Sequence, residues 1–149
     1  MEFVHDRNSN IIFSLHGSRV HEMKFHNKML KLKVSELFRY VDNEEKSYPG
    51  EICFYDCDLD LCRVLIFNKT LGQGYFKGKA ISMKEFMDKY DNLEFEIITE
   101  GYYAKSTTYM GWIWEDGKEP VSGIMYLWNR GDMVYRIEDE NLNDIGCRR

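Results

Sequence analysis

The chain has 149 residues, 44% of them hydrophobic and 30% charged, a composition that suits one buried core and is globular rather than disordered. Its net charge of −5 argues against a general affinity for phosphate backbones and leaves a basic protein partner open. No stretch approaches the roughly 20 apolar residues that cross a bilayer.

The opening "MEFVHDRNSN" is charged from its second residue and lacks the apolar centre of a secretion signal. A cytoplasmic protein without membrane contact is expected, with its four cysteines as thiols rather than disulfides. Alternation then dominates. In "NIIFSLH" Ile11, Phe13 and Leu15 share a face, and Gly17-Ser18 can turn the chain. "RVHEMKFH" sets His21, Met23 and Phe25 against Glu22 and Lys24. Asn27-Lys28 fits a two-residue turn, because Asn tolerates positive φ. "MLKLKV" directs Leu30, Leu32 and Val34 inward and Lys31 and Lys33 outward. These segments predict an antiparallel meander with one wet face.

Residues 35–41, "SELFRYV", fit either a continued strand or a helical turn. "DNEEKSYPG" reads as a polar loop ending at Gly50, followed by strands at "EICFY" and "RVLIF". The second is apolar on both faces (Val64 and Ile66; Leu65 and Phe67), as in a central strand. "NKTLGQGYFKGK" is turn-rich. Ser82 with Glu85 forms a capping box, and Met83, Phe86, Met87 and Tyr90 lie on one helical stripe, so a helix is predicted over 82–91.

The last third reads as three long strands. "LEFEIITEGYYA" alternates Phe95 and Ile97 with Glu94 and Glu96. "TTYMGWIWED" carries bulk on both faces, Tyr109 and Ile113 against Met110, Trp112 and Trp114. "VSGIMYLWN" is again two-sided, "MVYRIED" follows the turn "NRGD", and the tail, 139–149, is expected to fray. With no internal repeat, residues 1–149 read as a single mainly β domain. About eight to ten strands and one short α-helix predict an antiparallel β-sandwich or a partly open barrel.

The densest chemistry is "FYDCDLDLC". Zinc sites favour closely spaced pairs such as C-x₂-C, whereas here the spacing is C-x₃-C-x₄-C and Cys147 is remote. A calcium loop counted from Asp56 would need Gly and Glu where Leu61 and Phe67 stand. The period favours a strand or strand-turn with Cys57, Leu59 and Leu61 inward and Asp56, Asp58 and Asp60 in water. A metal held by Cys53, Cys57, Cys62, Asp56 and Asp58, or a redox role, is the lesser alternative; no metal or cofactor is expected. His5, His16, His21 and His26 fall near the first hairpin, where hydrogen-bonded structural roles outweigh catalysis. "LGQGYFKGK" lacks the phosphate-loop pattern, and neither G-x-S-x-G nor H-E-x-x-H occurs.

The aromatic strands give the better lead. Tyr102, Tyr103, Tyr109, Trp112, Trp114, Tyr126 and Trp128 are either core or an exposed recognition face. Glu100, Glu115, Asp116, Glu119 and Asp132 flank them, which suits a basic protein partner and disfavours nucleic acid. Trp112, Trp114, Trp128, Tyr109, Glu115 and Asp116 are the expected binding residues. The segment "LHGSRVHEMKFHNKMLKLKV", 15–34, resembles the opening hairpin of small β-rich bacterial immunity proteins, the antidotes to secreted polymorphic toxins, with Gly17 where their common turn has Asp. That resemblance implies a cytosolic, non-enzymatic protein that binds and blocks a toxin domain. The alternative is a small-ligand-binding barrel or a hydrolase with an aromatic-lined pocket.

Overall fold

The computed structural model describes residues 1–6, 12–69, 74, 77–89 and 92–137. Ten strands form one sheet: β1 (Glu2–Val4), β2 (Arg19–His26), β3 (Met29–Val41), β4 (Glu44–Phe54), β5 (Arg63–Lys69), β6 (Lys77–Ser82), β7 (Glu94–Tyr103), β8 (Ser106–Trp114), β9 (Val121–Trp128) and β10 (Met133–Ile137). Every pairing is antiparallel, in the order β1-β10-β4-β3-β2-β7-β8-β9-β5-β6, and the end strands do not meet. The expected mainly β, incompletely closed fold is the observed one.

Local chemistry explains the meander. Asn27 and Lys28 both have positive φ (50° and 61°), as do Asp42 and Asn43 (52° and 63°), so two-residue turns join β2 to β3 and β3 to β4. Leu30, Leu32 and Val34 are buried, as their alternation predicts. Residues 35–41 continue β3 as strand, and the expected polar loop at 42–50 is a turn followed by the first half of β4. Pro49 misleads there. It sits at a register shift where Ser35 and Glu36 together oppose it, a place where its missing N–H costs no ladder bond. Phe13 and Leu15 are buried but lie outside the strands, with Ser14 bridged to Phe38. Ile11, Tyr90, half of "NKTLGQGYFKGK" and the tail at 139–149 lie outside the described residues.

A second bulge, between Val20 and Glu22, makes His21 the extra residue of β2. Like Phe25, it is exposed. The short helix α1 (Met83–Lys89) is capped as expected, with the Glu85 N–H donating to Ser82 Oγ at 3.0 Å, and it buries Met83 and Phe86. β5 is one strand in from an edge; Val64 and Ile66 are buried while Leu65 and Phe67 face outward, half-covered.

The sheet rolls over its own core. Phe13 stacks edge-on to Phe3 and Tyr135, and His5 lies 4.4 Å from the Tyr102 ring, joining the β1–β10 end to β7 and β8. Tyr102 in turn meets Tyr109 edge-on. One hydrophobic cluster runs from Phe3 to Ile137.

Candidate functional site

Because neighbours on adjacent strands share a face, the register fixes what the outer side of β7, β8, β9 and β5 displays. Met110 opposes Ile124, which opposes Leu65; Trp112 opposes Ser122, which opposes Phe67. Tyr126 lies beside Thr108 and Arg63. Met110, Trp112 and Tyr126 are 45%, 42% and 36% exposed. They form a contiguous apolar surface with the half-covered Ile124, Leu65 and Phe67.

The expected binding residues divide between environments. Trp112 belongs to this outer face. Trp114 borders it, half-buried and pinned: its Nε1–H donates to Glu96 at 2.9 Å, and the Arg19 guanidinium lies 4.6 Å from its ring centre while also pairing with Glu94. Tyr109 is not a surface residue. It is fully buried on the inner side of β8, as its parity with Ile113 requires. Glu115 and Asp116 are exposed just past the end of β8, where they face Lys89 and Asn92, and Glu115 pairs with Lys118 at 3.2 Å. Trp128 has the parity of Tyr126 but stands at the end of β9, its ring beneath Arg130 at 5.3 Å.

Trp128 lines the second feature, a cleft of about 720 Å³. Phe25 and Lys28 from the β2–β3 turn, Lys84 and Met87 of α1, and Asp56, Asp58 and Asp60 of the acidic stretch form its other walls. That stretch is not a strand. Asp56 takes a positive φ of 49°, Cys57 bridges to Asn129, and Asp58 caps a 3₁₀ turn (Leu59–Leu61) by accepting from the Asp60 N–H at 3.1 Å. The three aspartates are exposed, as their alternation predicts, and Cys57 is buried. Leu61 departs from that pattern at 47% exposed, because the turn breaks the period and Cys62 takes the inward place.

Cys57 and Cys62 bring their sulfurs to 3.7 Å. Cys53 lies on the opposite side of β4 from the core residues Ile52 and Phe54, beside Lys31, so it does not join them. Among the described residues no three His, Cys, Asp or Glu side chains are grouped to hold a metal ion. The histidines are likewise dispersed. His5 is buried against the Tyr135 hydroxyl at 3.1 Å, His16 is bound through Nδ1 to the Ile98 carbonyl, and His21 and His26 are exposed.

No protein-family model, curated protein or solved structure matches this chain. Among the described residues no helix is long and apolar enough to cross a membrane.

Proposed function

We propose that this chain is a binding protein whose outer sheet face, centred on Met110, Trp112 and Tyr126, docks a partner polypeptide. The observation that carries the reading is the side-by-side exposure of a methionine and two large aromatics on a hydrogen-bonded sheet. Such residues are the usual anchors of protein interfaces, and their contiguity exceeds the scattered apolar exposure of an ordinary surface. Strands hold their backbone at fixed spacing, so little backbone freedom is lost on docking. The net charge of −5 favours a basic partner. The resemblance of the 15–34 hairpin to immunity proteins narrows that partner to a toxin domain that the chain would block in the cytoplasm.

The test is native mass spectrometry of the tagged chain captured gently from lysate of its own source, beside a Met110→Ser/Trp112→Ser variant. A basic polypeptide carried by the wild type and lost from the variant supports the reading. A polypeptide retained equally by both, or a bare wild type, overturns it.

A second reading rests on the cleft. Its volume and its combination of Trp128 with charged walls fit a small polar ligand. Added low mass on the captured protein, removed by Trp128→Ala, would favour this reading.

A further inference from the structure

Beneath the cleft the two buried thiols stand in contact. We propose that Cys57 and Cys62 form a reversible dithiol–disulfide site, oxidised by peroxide-class oxidants that enter through the cleft. A disulfide bond is about 2.05 Å long, so the sulfurs, now at 3.7 Å, have to close by roughly 1.7 Å.

The surroundings make the pair asymmetric. Either sulfur can donate across the contact; with Cys62 as thiolate, the Cys57 S–H and the Trp128 N–H, 3.4 Å from the same sulfur, both donate to it, which holds the Cys62 thiol below its ordinary range. The same hydrogen bond, with burial, pushes Cys57 up. Loss of one proton therefore leaves the charge on Cys62, and a thiolate is the form that attacks an oxidant.

Access follows from the cover. Cys57 lines the cleft, and the 3₁₀ turn Leu59–Leu61 between the two cysteines has no fully buried residue, with Leu59 resting partly buried against the core, so the cover over the pair is thin. The remote position of Cys53 leaves the pair without a nearby competing thiol among the described residues.

The step balances. The Cys62 thiolate attacks one peroxide oxygen; the O–O bond breaks, hydroxide leaves, and Cys62 becomes a sulfenic acid. Cys57 sulfur then attacks the sulfenic sulfur, its proton leaves with the hydroxyl as water, and the S–S bond forms. The two sulfurs together lose two electrons, and the peroxide gains them. The bond would tie residue 57 to residue 62 and fix Asp58 and Asp60, which line the cleft. Oxidation would thereby set the shape of one cleft wall.

The test uses the full chain carrying Cys147→Ser. After hydrogen peroxide, the protein is denatured in N-ethylmaleimide and weighed, then cut with trypsin for fragment sequencing of peptide 47–63. The expected result is one maleimide adduct instead of the three on the reduced protein, on a chain itself about 2 Da lighter for two hydrogens lost, with the adduct at Cys53 alone and reversal by dithiothreitol. Cys57→Ser should instead stop at a dimedone-reactive sulfenic acid on Cys62. If that variant fails to fold, the wild-type fragment map decides alone. Full alkylation of all three thiols after peroxide, a bond involving Cys53, or irreversible over-oxidation of Cys62 without a bond would each overturn the proposal.

Discussion

Tyr109 and Trp112 stand three residues apart on β8 and point to opposite sides of the sheet, so their substitutions should separate folding from binding. Tyr109→Ala removes a fully buried ring and should cost about 3–5 kcal/mol in urea denaturation. Trp112→Ser should leave stability within about 0.5 kcal/mol while abolishing capture of the partner. A large stability loss from Trp112→Ser would return that ring to a structural role. Both orientations follow from period alone: the parity that Tyr109 shares with Ile113 puts it in the core and takes it out of the expected binding set. Trp128 shows what period cannot give, because the cleft it lines is assembled from a hairpin tip, a turn and a helix distant in sequence. Cys62 yields a prediction in pH. Its thiol is lowered by the Cys57 hydrogen bond and the Trp128 N–H, against the opposing effects of burial and Asp58, with Arg63 also favouring the thiolate. The rate of its reaction with peroxide should therefore rise at lower pH than that of an ordinary cysteine. Cys57→Ala, which removes the donor, should move the rise upward; an unmoved profile would mean the contact does not tune Cys62.

At the scale of elements, Gly111 is where strand geometry is tightest. A Cβ there would lie 1.7 Å from the Glu96 carbonyl oxygen, under the register shift between Ile97 and Thr99 of β7. Gly111→Ala should destabilise by about 3 kcal/mol, since backbone rather than a movable side chain must yield. A variant with wild-type denaturation would show that β7 can relax its bulge. The same bulges explain where the elements were and were not readable. The two-residue turn at Asn27-Lys28, the capping box at Ser82 and the clean alternation of 29–34 are local signals, and each formed as expected. Residues 42–50 read as a loop because Pro49, Glu44 and Glu45 carry loop-like composition, while the strand that 44–50 begin is enforced by pairing with β3 on one side and, from Gly50 onward, with β10 on the other.

For the whole molecule, the mainly β class followed from alternation and two-sided bulk, whereas strand order did not. Periodicity says which way a side chain points and nothing about which strand lies beside it. Charge acts at this scale too. With a net charge of −5, association with a basic partner should be fastest at low ionic strength and slow as salt is added, while dissociation changes little. Stopped-flow association over a salt series checks this, and a salt-independent rate would remove electrostatic steering from the proposed function.

The place of β10 between β1 and β4 imposes an order in time on the making of this protein. On the ribosome the first strand emerges with no neighbour to join, and β4 presents one bare edge until Met133–Ile137 has been synthesised. An unpaired strand edge is a template for wrong partners. A chain stopped at residue 132 should lose the docking of β1 as well as β10, and should be found in aggregates or held by chaperones. From the synthesis of β1 until that of β10, the two strands that flank β10 wait for the one that joins them.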